Sequence, residues 1–194
     1  MNLLRRRLSG ALLPLLVAAC TTLPPTGPSS PPPQRPARDS IQTYTLEARF
    51  SIRAGGEGQS GRIAWSHQPE GDKLLFLSPL GQGMATLESD ATGARLEMSD
   101  KRSDSAPTPD ELADRVLGRP LPLRRVPRWI LGLCGPAGSQ TRDKMGRALE
   151  IQEDGWRVEY LAYESDEAEA LPTQLRISRG DVELKLRLDG WSLQ

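Results

Sequence analysis

The stretch Tyr44-Thr45-Leu46-Glu47-Ala48-Arg49-Phe50-Ser51-Ile52-Arg53 decides the fold class, because apolar and polar residues alternate along it. Successive side chains of a β-strand point to opposite faces, so this segment predicts a strand with one apolar face and one polar face. The segment Val182–Leu188 near the end of the chain repeats the pattern. Both segments are typical of an antiparallel sheet with one buried face and one solvated face.

The segments between these two indicate how the sheet is built. Thr108-Pro109-Asp110-Glu111 is a capping box with proline at the first helical position, and it predicts a short helix that ends at Gly118. A second helix is predicted at about Arg124–Leu131, with Pro127 in its first turn or at a kink. The remaining predicted strands are 61–67, 73–78, 84–89, 94–99, 148–152, 157–163 and 173–179. Strands, a helical insertion and strands again predict a mainly β (α+β) domain: one antiparallel sheet with helices on one side.

The first 19 residues have the pattern of a secretory signal peptide. Arg5, Arg6 and Arg7 precede an apolar run that is shorter than the ~20 residues of a transmembrane helix. Cys20 directly follows Val17-Ala18-Ala19, and this spacing resembles the bacterial lipobox. The resemblance implies a diacylglycerol thioether on Cys20, cleavage before it and acylation of the new amino group. The alternative is an ordinary signal peptide with a chance cysteine, which is less favoured because the chain has only two cysteines.

The segment that follows is rich in proline, which favours extended polyproline II and supplies little apolar surface for a core. The lipobox resemblance implies a lipid-anchored protein that faces the periplasm, where SH3-type partners are not expected. We therefore interpret the segment as a tether rather than as an SH3-type ligand. The predicted organisation is therefore a signal peptide at 1–19, a lipidated cysteine and tether at 20–40, and a folded domain at 41–194.

Composition argues against several classes of function. The chain has 25 basic and 25 acidic residues, and removal of residues 1–19 leaves 22 against 25, whereas a nucleic-acid-binding domain would be strongly basic. One histidine, His67, and one further cysteine, Cys134, are too few for a histidine–cysteine metal site. No Gly-x-Ser-x-Gly motif is present, and Gly81-Gln82-Gly83 is too short for a phosphate loop. We expect no catalytic residue, metal or cofactor, and Cys134 as a small filler of the core.

Two stretches stand out from this background. Ser78-Pro79-Leu80-Gly81 places a leucine at the tip of a loop, where polar residues are usual. Leu80 either folds back onto the core or is exposed, which would suit contact with a bilayer or an acyl chain. The segment Trp129–Leu131, with Arg124, Arg125 and Arg128 before it, is either a core helix with a basic side or a lid over an apolar cavity. The sequence leaves both pairs of alternatives open.

Several short motifs occur in a defined order along the chain. Together with Cys20, this series resembles the LolB family of outer-membrane lipoprotein receptors of Gram-negative bacteria, over essentially the whole mature domain. The motifs are Ala48–Ser51, Gly61–Trp65, Ser78–Gly81, Gly118–Leu123, Trp129–Leu133, Gly155–Tyr160, Leu171-Pro172 and Asp189–Trp191.

The resemblance implies a curved, incompletely closed antiparallel sheet of about eleven strands, whose apolar concave face is covered by short helices, as in the periplasmic carrier LolA. It also implies a monomeric protein that accepts lipoproteins from LolA and releases them into the inner leaflet of the outer membrane. Leu80, flanked by Pro79 and Gly81, matches the family's leucine on a protruding loop that serves membrane insertion. Thr21 in place of aspartate after Cys20 resembles the sorting pattern for the outer membrane. Cys134, where the family usually has proline, is a departure.

The expected partners are a LolA-like carrier, the acyl chains of lipoprotein cargo and outer-membrane phospholipid. The apolar faces of the strands, assigned from alternation, and the second helix supply candidates for an acyl-binding cavity. A shift of one residue in a strand's assignment would turn its candidates outward. These candidates are Leu46, Phe50, Ile52, Leu75, Leu77, Leu87, Leu96, Trp129 and Ile130. Two alternatives remain: a structural lipoprotein that binds a protein partner through its sheet, and a lipid-anchored hydrolase with Ser–Lys or carboxylate chemistry.

Overall fold

The computed structural model describes residues 34–194. The predicted signal peptide, Cys20 and the tether up to residue 33 lie outside the described residues. A short 3-10 helix at Arg38–Ser40 precedes eleven strands and two helices. The strands are β1 Tyr44–Ala54, β2 Glu57–Gln68, β3 Gly71–Leu77, β4 Gly83–Asp90, β5 Gly93–Met98, β6 Ser103–Ala106, β7 Ser139–Arg142, β8 Ala148–Glu153, β9 Trp156–Tyr163, β10 Pro172–Arg179 and β11 Val182–Leu193. The helices are α1 Pro109–Leu117 and α2 Val126–Trp129.

All eleven strands form one antiparallel sheet in the order β6-β5-β4-β3-β2-β1-β11-β10-β9-β8-β7. The two halves are simple meanders that meet at the centre, where β1 pairs with β11 and Phe50 lies opposite Leu186. Strands β6 and β7 occupy the opposite edges, so the sheet is an open half-barrel. The predicted fold class is confirmed, including the eleven strands that the family resemblance implied.

Periodicity did not predict the two edge strands. Both contain four residues, Ser103–Ala106 and Ser139–Arg142, and neither has an alternating apolar pattern. Their neighbours define them, because Leu96 of β5 pairs with Asp104 and Ile151 of β8 pairs with Gln140. Short polar strands suit sheet edges, since a long apolar edge would invite pairing with another chain.

Helix α1 begins and ends where its capping residues predicted. Thr108 Oγ1 accepts a hydrogen bond from Glu111 N at 3.2 Å, and Gly118 ends the helix in the left-handed region with φ of 64°. Helix α2 has only four residues and is shorter than predicted, with Pro127 in its first turn. Residues on both sides of α2 form turns. Within residues 34–194, none of the helices has the length and apolar character needed to cross a bilayer.

The half of the domain around β8, β9 and α2 is filled by a packed core. Trp129 and Ile130 have no exposed surface. The Trp129 indole Nε1 donates to Glu153 Oε2 at 2.9 Å, and the Tyr160 hydroxyl donates to the Trp129 carbonyl at 2.7 Å. Glu153 also accepts from Gly135 N at 3.0 Å. Of the two alternatives for Trp129–Leu131, the structure therefore supports a core segment rather than a lid.

Glu153 provides a test of this core. We expect Glu153→Ala to lower the free energy of unfolding by about 2–4 kcal/mol, because it leaves the buried donors of Trp129 and Gly135 without their acceptor. Urea denaturation followed by tryptophan fluorescence measures the change. Glu150→Ala, on the same strand with a more exposed side chain, is the matched control and is expected to have a clearly smaller effect. Equal losses for the two variants would contradict this role of Glu153.

Candidate functional site

The other half of the domain contains an apolar cavity of about 280 Å³ between the sheet and α1. Strands β1 to β5 and β11 form one wall, and α1 with the segment leading into α2 forms the other. Among the lining residues, only Gln59, Asp72 and Ser89 are polar. Such a cavity suits a ligand that is itself apolar, because every methylene transferred from water to its walls is stabilised by ~0.8 kcal/mol.

The single ionisable residue in the lining, Asp72, already has hydrogen-bond partners. Its Oδ1 accepts from the Trp65 indole at 2.7 Å and lies 2.7 Å from His67 Nδ1. The Tyr44 ring stacks on the His67 ring with centroids 4.7 Å apart. Burial, together with the charge of Asp72, raises the pKa of the Tyr44 phenol. The Tyr44 hydroxyl donates to the Pro127 carbonyl at 3.4 Å, so each of these polar side chains already has a partner. Of this group, only Trp65 and Asp72 line the cavity.

Helix α1 is held over the cavity by its apolar stripe and by ion pairs at its ends. Leu112 and Ala113 are buried against the sheet, and Val116 and Leu117 also line the cavity. Arg115 donates to Asp104 Oδ1 at 2.9 Å, and the backbone amide of Arg124 donates to Asp110 Oδ1 at 2.9 Å. The Arg115 and Arg124 side chains are about half exposed. Exposed pairs of this kind each contribute only ~0–1 kcal/mol.

The mouth of the cavity lies beside the loop that carries Leu80. Met84 and Leu117 both line the cavity, yet 45% and 40% of their surface is exposed, so they mark its opening. Met84 is the second residue of β4, separated by Gly83 alone from the β3–β4 loop at 78–82. An apolar molecule leaving the cavity on this side therefore passes close to that loop.

The β3–β4 loop is a tight turn that holds Leu80 in solvent. Gly81 N donates to the Ser78 carbonyl at 2.8 Å, and Ser78 N donates to the Gln82 carbonyl at 2.8 Å. Gly81 has φ of 86°, a conformation that glycine adopts without strain. Leu80 is consequently 91% exposed, the largest exposure among the large hydrophobic residues of the described chain. Of the two alternatives for Leu80, the structure selects the exposed one.

The structure places the predicted cavity residues unequally. Phe50, Ile52, Leu87 and Leu96 line the cavity. Leu46 is on the same face of β1 but is 2% exposed in the packed core and does not reach the cavity. The prediction missed every lining residue of α1 and β11, although the alternation of β11 was visible in the sequence. Examples are Leu112, Val116, Leu184, Leu186 and Leu188.

Besides Leu46, four predicted cavity positions need correction. Leu75 is 38% exposed on the opposite face of β3, and Leu77 is half-buried at the end of that strand. Neither lines the cavity, whereas Leu74 and Phe76 do. The predicted orientation of the β3 side chains was wrong. This strand is apolar on both faces, so alternation could not indicate which face lines the cavity. Trp129 and Ile130 are also outside the lining, since both are fully buried in the packed half of the domain.

A larger depression, of about 930 Å³, lies on the surface near the β2–β3 and β4–β5 turns. Glu70, Lys73, Glu88, Asp90 and Arg95 are among the residues around it, so it lacks the dry apolar walls that a hydrocarbon ligand needs. Over residues 34–194 there is no group of three or more His, Cys, Asp or Glu side chains arranged to hold a metal ion. Cys134 is half-buried, and this partial burial together with the Glu153 charge raises the pKa of its thiol.

A protein-family profile described as outer membrane lipoprotein LolB matches residues 42–191, nearly the whole described domain. The chain belongs to the LolB family. The outer-membrane lipoprotein LolB of Dechloromonas aromatica is 37% identical over 194 residues, covering 97% of this chain and 98% of that protein. The LolB of an Azoarcus species is 37% identical over 180 residues, covering 92% and 90%.

A solved structure supports the fold alone. A DUF1329 family protein from Desulfovibrio piger aligns with a TM-score of 0.52 and 10% identity, covering 81% of this chain and 88% of that one.

The LolB relatives are named outer-membrane lipoproteins. This LolB protein is likewise a lipid-anchored outer-membrane protein that faces the periplasm, and it acts as a receptor in lipoprotein localisation.

Proposed function

We propose that this LolB protein accepts lipoproteins from a LolA-type periplasmic carrier, holds their acyl chains in the apolar cavity, and releases them into the inner leaflet of the outer membrane. The observation that supports this proposal is an almost wholly apolar cavity whose mouth adjoins the exposed Leu80. Cys20 is the proposed site of the protein's own lipid anchor, after removal of residues 1–19. The domain is proposed to act as a monomer at the surface of outer-membrane phospholipid.

The physical need for such a cavity follows from the cargo. Three acyl chains contain about 45 methylenes, and at ~0.8 kcal/mol each their exposure to water costs tens of kcal/mol. Passage through the periplasm therefore requires proteins that shield the chains. Transfer between two apolar cavities needs no covalent chemistry, only tighter binding by the receptor than by the carrier.

Loading also requires α1 to move. A methylene and a water molecule in the liquid each occupy about 30 Å³, so a cavity of about 280 Å³ accommodates only part of three acyl chains. Helix α1 contacts β5 and β6, its apolar stripe faces the cavity with Leu112 and Ala113 buried, and its ends are held by exposed ion pairs, which can be broken at little cost. We therefore expect α1 to swing outward on loading, while α2 stays in the packed core.

A transfer assay tests the proposal. The chain beginning at residue 21, which lacks the lipid anchor, is mixed with a purified LolA-type carrier loaded with a labelled lipoprotein. Separation on an affinity tag measures how much label moves to the LolB chain, and we expect most of it to move. An empty carrier and a carrier mixed with an unrelated periplasmic protein are the controls. Absence of transfer would reject the proposed function, and a stable carrier complex without bound label would favour a structural role.

A further inference from the structure

A groove of about 360 Å³ lies on the outer side of strands β3, β4 and β5, across the sheet from the apolar cavity. Side chains alternate between the two faces, so Lys73 and Leu75 line this outer groove whereas Leu74 and Phe76 line the cavity. Two cross-strand rows of residues line the groove, Lys73, Glu88 and Arg95 in one row and Leu75, Thr86 and Glu97 in the next. The outer groove therefore combines an exposed leucine with charged side chains, unlike the cavity.

Met84 connects the outer groove to the cavity. Phe76 pairs with Ala85 and Leu77 pairs with Gly83, so Met84 is an extra residue in β4, as in a β-bulge. A bulge can redirect a side chain, and Met84 lines both the cavity and the outer groove. Because a methionine side chain is unbranched and flexible, it can adopt several positions there. The cavity mouth and the outer groove therefore adjoin each other at Met84.

Exposed apolar residues are concentrated on the β3–β4 hairpin. Leu75, Leu80 and Met84 are 38%, 91% and 45% exposed, and they are three of the seven large hydrophobic residues that are exposed within residues 34–194. Exposed apolar residues that lie close together mark sites of contact with membranes or other molecules. Met84 and Leu75 line the outer groove, and Leu80 is in the loop that joins their strands. The Leu80 loop and the outer groove therefore form one surface.

The charged side chains of the outer groove are weakly held. Lys73 Nζ lies 2.7 Å from Glu88 Oε1, and Lys101 Nζ lies 3.4 Å from Glu97 Oε1. These four side chains are between 46% and 85% exposed, and exposed ion pairs add little stability. Arg95, the third cation of the groove, donates to a serine hydroxyl at 3.3 Å and makes no ion pair within residues 34–194. Three cations and two carboxylates leave the groove with a net positive charge, which suits an anionic ligand.

We propose that the outer groove binds an anionic phospholipid of the outer membrane, with its acyl chain along Leu75 and Met84 and its phosphate at Arg95 and Lys101. This inference rests on the proposed function. It adds that the outer face of β3 to β5, and not the Leu80 loop alone, lies against the bilayer during release. The Arg95 guanidinium can bind two phosphate oxygens at once, which suits a headgroup. An acyl chain that leaves the cavity past Met84 then enters the bilayer directly.

Vesicle binding tests the charged part of the proposal. The chain beginning at residue 21 lacks the lipid anchor, so its sedimentation with vesicles of phosphatidylethanolamine and phosphatidylglycerol in equal amounts measures binding by the domain itself. Each basic residue near an anionic surface contributes a factor of about five, so Arg95→Gln with Lys101→Gln should bind at least about ten-fold more weakly. Arg157→Gln with Arg187→Gln removes two exposed cations from the outer faces of β9 and β11 and is the matched control, expected to bind normally.

Two results of this assay would overturn the proposal. One is equal binding by the two double variants, which would show that contact with the bilayer does not involve the charges of the outer groove. The other is equal binding of the unsubstituted chain to vesicles of phosphatidylcholine alone, because the net positive charge of the groove requires a preference for anionic lipid.

Quenching by phospholipids with brominated acyl chains tests the apolar part. Bromine quenches tryptophan only at short range, and the four native tryptophans are buried or half-buried. Leu75→Trp should therefore add fluorescence that these vesicles quench. Leu161→Trp, at a position that is 52% exposed on the outer face of β9, is the matched control and should add fluorescence that they do not quench. Equal quenching of the two added tryptophans would contradict the placement of an acyl chain along Leu75.

Transfer from the carrier separates this inference from the proposed function. The chain with Arg95→Gln and Lys101→Gln should still accept lipoprotein from a LolA-type carrier, because neither residue lines the cavity, but its insertion of cargo should fall together with its vesicle binding. Normal insertion would overturn the groove proposal and leave the proposed function intact. Loss of acceptance with unchanged vesicle binding would assign the groove to the carrier and would also overturn the proposal. Failure of every chain to accept cargo would instead reject the proposed function.

Discussion

Leu80→Glu is expected to leave acceptance of lipoproteins unchanged and to slow their insertion into membranes at least ten-fold. Leu80 is 91% exposed on a tight turn and touches neither the core nor the cavity, so the substitution should not alter folding or binding. A leucine favours the bilayer by ~0.5 kcal/mol, whereas a carboxylate side chain disfavours its centre by about 3 kcal/mol. The two side chains thus differ by about 3.5 kcal/mol at the bilayer centre. A free-energy change of ~1.4 kcal/mol corresponds to a factor of ten, so shallow insertion of residue 80 is enough for the expected effect.

The measurement is a two-step assay that scores transfer from the carrier and then incorporation into vesicles. Leu161→Glu is the matched control, because Leu161 is 52% exposed on β9 and receives the same change far from the cavity mouth. The control should insert cargo at the normal rate, and both variants should unfold within about 0.5 kcal/mol of the unsubstituted protein. If Leu80→Glu inserts cargo normally, the loop has no role in release.

Ile52→Glu is expected to weaken binding of an acyl chain at least ten-fold. Ile52 lies half-buried in the cavity lining, which contains no lysine or arginine that could pair with a carboxylate. An unpaired charge in an apolar site is strongly disfavoured, so the carboxylate either retains water in the cavity or takes up a proton. Both outcomes remove apolar contact from the ligand, and the lost contact is stabilising by ~0.8 kcal/mol per methylene.

Displacement of a fluorescent fatty-acid analogue measures this change in the chain without its lipid anchor. Ser51→Glu is the matched control, since it places the same carboxylate one residue away on the opposite face of β1, where Ser51 pairs with Lys185 of β11. The control should bind the analogue normally. Ile52→Glu should bind more strongly as the pH falls below the pKa of the new carboxyl, because protonation removes the charge. Equal binding by the two variants would show that acyl chains do not occupy this cavity.

The face of the sheet to which each side chain points could be derived from the sequence wherever one face of the strand is exposed to solvent. In β1 and β11 the alternation of apolar and charged residues oriented the side chains correctly. The sequence also placed Phe50 and Ile52 of β1, Leu87 of β4 and Leu96 of β5 in the cavity. In β3 the run Leu74–Leu77 offers apolar side chains to both faces, so no pattern distinguished the cavity side. The prediction consequently selected Leu75 and Leu77 instead of Leu74 and Phe76.

The short elements were hidden for a different reason. Strands β6 and β7 contain mostly polar residues, and they exist because β5 and β8 offer unpaired backbone groups beside them. The role of Trp129 was equally hidden, because a tryptophan in an amphipathic segment suits a lid and a core alike. Its indole donates to Glu153, 24 residues later in the chain, and this contact places it in the core.

By itself, the sequence determined the features that depend on neighbouring residues: a one-faced antiparallel sheet, the cap of α1, and the turn that carries Leu80. These are local because strand alternation, capping and turn geometry each act within a few residues. Only the tertiary structure decided which half of the sheet is hollow and where the chain leaves the domain. The pair Arg35–Glu164 joins residues 129 positions apart, and the cavity exists because α1 covers strands from both ends of the chain without filling the space beneath it. Such features depend on contacts that no local pattern records.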